Sequence, residues 1–468
     1  IRDRTVTGVQ TCALPIFDDT KKRAEKVGWH DQTQSVFASV EVGWKQMLYL
    51  TATGRNDWAS QIAGSPFKSF FYPSVGLSWV PSSTWDLGNA FSYLKLRGSI
   101  ASVGLPFPRF LTTPTYEYDA TGKIWKDKTH YPIGDLKPER TITYEVGIDA
   151  RLWKNISLSA SWYSADTKNQ TFDPALPPSS SYTTIYLQTG HVRNTGVELS
   201  LGYSNQWRDF GWSSNFTFSW NKNEIIDLAS GALNPVTGQP LNLSELDIKG
   251  LGKAKYILKQ GGTLGDLYTT SDLKFNDNGY VEVDKAGNLL LTDEGDQIYL
   301  GSVFPSENLA WRNDFRYKGI NLGLLFTGRI GGICYSATQA NMDLYGVSEV
   351  SAAARDAGGV LINGREMVDA QKWYQAIGSQ SGLPQYYTYS ATNFRLQELS
   401  LGYTLPRKWF RNKMGLTVSF VGRNLWMIYC KAPFDPEAVA STGLSYQGID
   451  YFMMPSLRSL GFNVKFEF

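Results

Sequence analysis

The chain is poor in the residues that usually build metal and catalytic centres. Its 468 residues include only 3 cysteines and 3 histidines. They are Cys12, Cys334, Cys430, His30, His130 and His191. The cysteines show no metal-ligand spacing and no disulfide framework, and the histidines are isolated from one another. No Ser-His-Asp or paired-carboxylate arrangement can be assembled either. The sequence therefore predicts a protein that is not an enzyme and that uses no metal and no cofactor.

Charge and long apolar runs are also scarce. Charged residues make up 19% of the chain and the net charge is +2, so no overall field favours nucleic acid as a partner. No stretch reaches the roughly 18 apolar residues that a transmembrane helix needs. Aromatic residues, in contrast, reach 14%, and there are 44 glycines. Because Trp and Tyr favour membrane interfaces and glycine suits turns, the composition indicates an all-β protein, either soluble β-sandwiches or a membrane barrel.

The first sixteen residues are set apart from the rest. The stretch "RDRTVTGVQTCALPI" resembles a translated sequencing adapter. A signal peptide is the alternative, because two arginines precede a mildly apolar run, but polar residues interrupt that run and no Met precedes it. We therefore expect residues 1–16 to be non-native and residues 17–468 to form the protein proper. On this interpretation, the true N-terminal part is missing.

Period-two alternation recurs along the remaining chain. In "NISLSASWY", apolar Ile156, Leu158 and Trp162 alternate with serines, and in "NFTFSW" Phe216 and Phe218 alternate with polar residues. Such alternation is typical of a β-strand with one apolar and one polar face. About thirteen strands are predicted, each about ten residues long, the length that crosses a bilayer when tilted. They start near residues 36, 46, 70, 91, 140, 155, 194, 211, 308, 321, 394, 414 and 456.

The connections between these strands alternate in length. The short ones are 44–45, 81–90, 152–154, 205–210, 318–320 and 405–413. The long ones are 56–69, 105–139, 167–193, 223–307, 332–393 and 425–455. A soluble sandwich has no reason to keep all long loops at one end, whereas an outer-membrane barrel has short periplasmic turns and long extracellular loops. The sequence therefore predicts a transmembrane antiparallel β-barrel.

In such a barrel, the apolar face of each strand meets lipid and the polar face lines the interior. The predicted inward-facing residues are Glu145, Glu198, Asn463, Lys465 and Glu467. These side chains are expected to solvate the interior, unless some of them have a more specific role.

The last strand, "GFNVKFEF", carries its alternation to the end of the chain. Phe462, Val464, Phe466 and Phe468 share its apolar face.

Three loop segments contain motifs that could carry a function. "KFNDNGYVEVDK" has lysines at both ends of the calcium-loop spacing where carboxylates belong, so a hairpin with "DNG" and "KAGN" turns is favoured. "TGRIGG" lacks the Lys-Ser/Thr of a phosphate loop and is predicted to be a glycine-rich turn. Residues 349–377 predict short helices at "EVSAAARDAG" and "REMVDAQKWYQAI".

Several segments resemble one family. "IGDLKPERTITYEVGIDARLWKNISLSASWYSADTKNQ", "GHVRNTGVELSLGY" and "TFSWNKNEI" are similar to the middle of the barrel in SusC/RagA-type TonB-dependent transporters of Bacteroidetes outer membranes. "NDFRYKGINLGLLFTGRIGG", "NFRLQELSLGYTLP", "VGRNLWMIYCKAPFDPE" and "GIDYFMMPSLRSLGFNVKFEF" resemble the last third. The resemblance runs in order from about residue 34 to residue 468.

The resemblance implies an energised importer of oligosaccharides or peptides in the cell outer membrane. It implies a SusD-like surface lipoprotein and the TonB complex as partners, and a family barrel of twenty-two strands around an N-terminal plug. Residues 17–468 would then supply strands ten to twenty-two, without the plug or the TonB-contacting segment. It also implies that the terminal residues Phe462, Val464, Phe466 and Phe468 act as a barrel-assembly signal.

Alternative functions remain open at this stage. A passive porin or adhesin barrel, or a secreted β-sandwich enzyme or lectin, would lack energised uptake. The loop aromatics Trp125, Tyr131, Tyr182, Tyr186 and Trp373 are candidates for stacking on a substrate. They could equally pack loop on loop.

The predicted strand number has a structural consequence. Thirteen strands from a larger barrel would leave the first and last with unpaired backbone groups. We therefore expect residues 17–468 to form a curved open sheet, or a smaller barrel closed by a poor seam between residues 36–43 and 456–468.

Overall fold

The structure is a computed structural model. It describes residues 30–468 except 110, 113–115, 120–123, 128–129, 132–135, 173–183, 229–238, 240–242, 294, 296, 442 and 444–445, and only the backbone at 116–119, 124–127, 130–131, 184, 189 and 249. Residues 1–16, expected to be non-native, lie outside the described part. Within that part, no helix combines the length and apolarity needed to span a membrane.

Thirteen strands of the described chain form one main sheet. In chain order they are β1 Thr33–Trp44, β2 Leu48–Ala59, β3 Phe70–Trp79, β4 Phe91–Leu105, β5 Glu139–Leu152, β6 Ile156–Phe172, β7 Leu187–Trp207, β8 Phe210–Asp227, β9 Glu307–Tyr317, β10 Ile320–Ile330, β11 Asn393–Leu405, β12 Gly415–Cys430 and β13 Ser459–Glu467. Each strand pairs antiparallel with the next one along the chain, so the sheet is an uninterrupted meander. The strand count and the antiparallel order predicted from the sequence are confirmed.

Twelve of these strands begin within three residues of the predicted start. The exception is β7, which begins at Leu187 instead of near residue 194. Its first residues pair with β6 through two register shifts around Gly190. A bulge puts two residues opposite one and breaks the period of two, so the alternation in the sequence does not reveal this part of the strand.

The sheet is open in the described part of the chain. Neither the outer edge of β1 nor that of β13 pairs with another described strand, and every residue of both strands is exposed. This confirms the expectation of an open sheet rather than a closed seam between the two ends.

The predicted alternation of connection lengths is confirmed except near the start of the sheet, where 60–69, predicted to be long, has ten residues and 80–90, predicted to be short, has eleven. Between the thirteen strands, the short connections are 45–47, 80–90, 153–155, 208–209, 318–319 and 406–414. The long ones are 60–69, 106–138, 173–186, 228–306, 331–392 and 431–458. In an antiparallel meander, alternate connections lie at opposite ends of the sheet. We call the end with the six short connections the turn rim.

Four of the long connections pack together into what we call the loop cap, the described residues of 173–186, 228–306, 331–392 and 431–458. Its apolar cluster includes fully buried Tyr256, Leu267, Tyr335 and Ile449. The cluster continues onto the upper ends of β6, β7 and β8 through Phe172, Val192 and Ile225. The long connections therefore have a hydrophobic core of their own, which packs on the part of the sheet where the strands are longest.

Short elements build the loop regions. The helices are α1 Pro81–Thr84, α2 Ala337–Leu344, α3 Glu349–Asp356 and α4 Ala370–Ile377, with 3-10 turns at Ser60–Ile62, Pro384–Tyr387 and Arg407–Phe410. The additional strands are Tyr116–Asp119, Ile124–Asp127, His130–Tyr131, Thr184–Ile185, Glu245–Leu251, Ala254–Lys259, Asp266–Thr269, Ile298–Ser302, Ile333–Ser336, Val360–Ile362, Glu366–Val368, Thr388–Ser390 and Ile449–Asp450.

The predictions for the loops were partly right. Helices α3 and α4 are confirmed, but the helical prediction was wrong for residues 366–368, which pair as a strand with Val360–Ile362. The side chain of Asp369 accepts hydrogen bonds from the backbone of Gln371 and Lys372, so the helix begins only after this cap. Helix α2 was missed. The predicted hairpin is present as bridges Phe275↔Val281 and Val283↔Leu289, and the predicted glycine turn follows Ile330.

Candidate functional site

The two faces of the main sheet differ in chemistry. On one face, apolar side chains lie opposite each other across strands, as in the row Leu199, Phe218 and Leu309. On the other face, polar side chains bond across strands, as Thr53 does with Ser74 at 2.6 Å. The predicted inward-facing residues Glu145, Glu198, Asn463, Lys465 and Glu467 all belong to the polar face. The face assignment made from the sequence is therefore confirmed.

A charged cluster on the polar face centres on Arg97 of β4. Its Nη1 donates to Glu145 Oε1 at 2.7 Å, and its Nε lies 3.6 Å from Asp149 Oδ2. The guanidinium crosses the sheet directly over Gly147, where a Cβ atom would lie 2.6 Å from Nε. Glycine at this position therefore allows the arginine to reach both carboxylates on the neighbouring strand.

This cluster borders a cavity of about 340 Å³ on the polar face. Its walls come from β4, β6, β7, β8 and β9 and include Arg97, Ser161, Glu198, Thr217 and Asn308. Since side chains from five strands line one open depression, the sheet curves toward its polar face.

A second ion-pair network lies farther along the polar face. Glu398 of β11 is 3.0 Å from Arg423 Nε and 3.7 Å from Arg312 Nη1. Arg312 also donates to Asp314 at 2.9 Å. The polar face therefore carries charges of both signs, arranged largely in pairs. Among the described residues, no group of three or more His, Cys, Asp or Glu side chains could hold a metal ion.

The turn rim is lined with aromatic side chains. Each of its six short connections contains or adjoins an exposed aromatic residue: Trp44, Trp85, Trp153, Trp207, Tyr317 and Trp409. Such a row matches the aromatic girdle that membrane barrels place at the bilayer interface. The aromatic content of the sequence predicted residues at membrane interfaces in general. The structure adds that these six residues form one row, because the turns that carry them lie at the same end of the sheet.

The loop cap is fastened to the sheet by a buried ion pair. Arg395 near the start of β11 donates two hydrogen bonds to Asp435, at 3.0 and 2.8 Å. The two side chains are only 5% and 9% exposed. Burial alone would raise the pKa of Asp435, but hydrogen bonds from Arg395 and Ser456 hold it below its ordinary value. Asp435 lies in the segment "VGRNLWMIYCKAPFDPE", and nothing in its local sequence predicts this ion pair.

Of the five loop aromatics proposed for substrate binding, the structure describes the side chains of two. Trp373 makes an edge-on contact with Tyr386, at 6.1 Å between ring centroids, and packs against the core of the loop cap. Tyr186 lines a separate cavity of about 590 Å³ near the ends of β4 and β6.

The other three candidates cannot be placed as binding residues. Trp125 and Tyr131 are described by backbone alone, and Tyr182 lies outside the described residues. The structure therefore does not bring the five side chains into one site.

The terminal strand is integrated into the sheet as its alternation indicates. Phe462 lies opposite Phe420, with ring centroids 5.7 Å apart, while Val464 and Phe466 lie opposite Val418 and Leu416. Phe468, just beyond the last pair, is 95% exposed. The geometry confirms the shared apolar face, and the role of these residues as an assembly signal stays a prediction.

Residues 13–425 match the family described as TonB dependent receptor-like, beta-barrel. The chain belongs to this family. It is similar to TonB-dependent receptor P3 of Formosa agariphila, at 25% identity over 468 residues covering 92% of this chain and 45% of the relative. It is also similar to TonB-dependent receptor SusC of Bacteroides thetaiotaomicron, at 20% identity over 343 residues covering 71% of this chain and 32% of SusC. The resemblance read from the sequence is confirmed.

A solved structure shows the same fold. The RagAB peptide importer in its "closed-closed" state superposes with a TM-score of 0.69 at 19% identity, covering 93% of this chain and 47% of the importer chain. The chain therefore spans less than half the length of the proteins to which it is compared.

Membership in the TonB-dependent receptor family gives the sheet its orientation. The family consists of outer-membrane transporters and receptors rather than enzymes, so the strands cross the outer membrane. The apolar face then meets lipid, the polar face lines the barrel interior, and the turn rim lies on the periplasmic side. The alternative of a secreted β-sandwich is excluded.

Proposed function

We propose that this chain is the C-terminal barrel part of an energised outer-membrane importer of oligosaccharides or peptides, which works with a SusD-like surface lipoprotein and the TonB complex. The observation that carries the proposal is a thirteen-stranded sheet with a polar concave face whose fold follows the RagAB importer over 93% of the chain. RagAB is a peptide importer, and SusC is a TonB-dependent receptor.

The unpaired edges of β1 and β13 support a larger barrel. In hydrocarbon, each unpaired backbone group costs several kcal/mol, so an open edge is not stable in lipid. With thirteen strands, the first and last run in the same direction, and pairing them would require a parallel seam. We infer that residues 17–468 supply strands ten to twenty-two of a barrel of twenty-two, a size associated with a plugged interior.

The cavity lined by Tyr186 supports a substrate-binding site at the extracellular end of the barrel. Tyr186 and the exposed Leu105 supply apolar surface there, and Gln61 adds its amide. The Oε1 atom of Gln61 is buried without a hydrogen-bond partner in the described structure. A buried acceptor of this kind favours a ligand with hydrogen-bond donors, such as sugar hydroxyls or peptide N–H groups. Tyr186 also packs against the buried cluster that contains Ile62 and Phe107, so it combines packing with a place on the cavity wall. The contacts of Trp373 favour a packing role.

The decisive experiment compares residues 17–468, given a signal peptide, with the full-length transporter. Uptake of labelled oligosaccharides and of labelled peptides is measured with and without a protonophore, alongside single-channel currents. The full-length protein is expected to import one class only while the membrane is energised, and the fragment is expected to import neither. Protonophore-insensitive uptake would instead identify a passive porin, and energy-dependent uptake by residues 17–468 alone would refute the proposal that these residues supply only part of the importer.

A further inference from the structure

The two ends of the sheet carry opposite charge. The six connections of the turn rim contain eight basic and two acidic residues. The six long connections contain seventeen basic and twenty-three acidic residues. The basic residues of the turn rim are Lys45, Lys154, Arg208, Lys318, Arg407, Lys408, Arg411 and Lys413. Positive charge is therefore concentrated at the periplasmic end, although the whole chain is close to neutral.

These eight cations are exposed and almost unpaired. All eight side chains lie on the surface. In the part of the chain that the structure describes, only Arg407 has an ion-pair partner, Glu467 at 3.5 Å. A row of like charges repels itself unless anions neutralise it. The turn rim therefore attracts anions that the described part of the chain does not supply.

Two of the cations lie on the apolar side of the sheet. The ammonium of Lys45 sits 5.1 Å from the ring of Trp44, and that of Lys318 sits 5.3 Å from the ring of Tyr317. Both rings belong to the apolar face, since Trp44 lies opposite Leu48 and Tyr317 lies opposite Ile320. These ammonium groups are therefore at the lipid-facing border of the rim, just beyond the aromatic row.

The connection 406–414 contains more cations than any other connection of the turn rim. Lys408, Arg411 and Lys413 lie close in sequence to the exposed Trp409, whereas Arg407 pairs with Glu467 of the polar face. Indole rings settle at the level of lipid headgroups, and long basic side chains reach from that level to the charged groups of the interface. Arginine also binds phosphate through two parallel N–H bonds, and lysine binds it as a point charge.

We propose that the turn rim is a binding surface for the phosphate groups of anionic phospholipids in the periplasmic leaflet. The aromatic row sets the depth of the barrel in the membrane, and the cations beyond it attract the headgroups. The inference depends on the orientation of the barrel and not on the substrate that it transports.

The test uses the full-length transporter in detergent, incubated with equal amounts of chain-matched phosphatidylglycerol and phosphatidylcholine. Native mass spectrometry counts the lipids that stay bound. The rim variant combines Lys45→Gln, Lys318→Gln, Lys408→Gln and Arg411→Gln. The matched control removes the same charge from exposed residues of the loop cap through Lys274→Gln, Lys285→Gln, Arg365→Gln and Lys431→Gln.

The wild-type protein is expected to prefer phosphatidylglycerol by at least about fivefold, the factor that one cation near an anionic surface supplies. The rim variant should lose most of this preference and the control should keep it. Equal loss in both variants, or no loss in the rim variant, would overturn the proposal, and the second result would show that the lipid preference arises elsewhere on the barrel.

A measurement on the wild-type protein covers the case in which the rim variant does not assemble. Raising the salt to 1 M shortens the screening length to about 3 Å, from about 10 Å at 0.1 M. The preference for phosphatidylglycerol should then disappear. A preference that survives 1 M salt would overturn the proposal by itself.

Discussion

The pair Arg395–Asp435 offers the sharpest test of how the loop cap is held. Replacing Asp435 with asparagine removes the charge that neutralises a guanidinium only 5% exposed. Breaking a buried ion pair from one side costs roughly 3–5 kcal/mol. Because Glu437 Oε1 remains 3.2 Å from the same guanidinium, we expect the lower end of this range. A loss of about 3 kcal/mol makes local opening on the order of 100-fold more frequent.

Amide hydrogen exchange in residues 431–458 of the full-length transporter measures this opening directly. Asp435→Asn should accelerate exchange there by on the order of 100-fold. Arg423→Gln is the matched control, since Arg423 also bonds a carboxylate, at 3.0 Å, but is 67% exposed. An exposed pair contributes only about 0–1 kcal/mol, so the control should change exchange by less than about fivefold.

Two further measurements complete the test. The double variant Arg395→Met/Asp435→Leu should recover much of the protection, because apolar residues of similar volume remove both buried charges. Since the folded-state pKa of Asp435 is lowered, its contribution to stability is present above the ordinary value of about 3.9 and is lost as the pH falls further. If Asp435→Asn behaved like Arg423→Gln, or if protection were lost already between pH 7 and 5, the reasoning would be refuted.

Three other predictions follow from the faces, the end of the sheet and the loops. Phe218→Arg should block membrane assembly far more than Thr217→Arg, because a charge on the lipid face at mid-bilayer costs about 2–4 kcal/mol. Equal amounts of heat-modifiable barrel on a gel for the two variants would contradict the face assignment. Deleting Phe468 from the full-length protein should reduce the amount of assembled barrel in outer-membrane fractions, and an unchanged amount would exclude it from the assembly signal. Tyr186→Ala should weaken uptake at low substrate concentration while leaving assembly intact, whereas Trp373→Ala should speed hydrogen exchange in the loop cap. The reverse pattern would show that Trp373 binds substrate and that Tyr186 only packs.

The sequence was sufficient for the strands and for their two faces, because strand alternation is a local property. The period of two alone assigns Phe218 and Thr217 to opposite faces of their strand. The period is regular because one face of the sheet meets lipid and the other meets water. The alternation of short and long connections then predicted an antiparallel meander with its short turns at the periplasmic end. The same reasoning missed the start of β7, where bulges around Gly190 disturb the period.

Tertiary structure decided everything that depends on partners distant in the chain. Arg97 reaches Glu145 across 48 residues, and Arg395 reaches Asp435 across 40. Such pairs depend on the register between strands and on the path of a long loop, neither of which is encoded in the residues around each partner. The loop cap shows the same limit, because its apolar residues come from separate loops and acquire a common core only when the sheet holds those loops side by side. The sequence by itself thus determined which side of each strand faces lipid, and only the assembled sheet decided which loop residues are buried together.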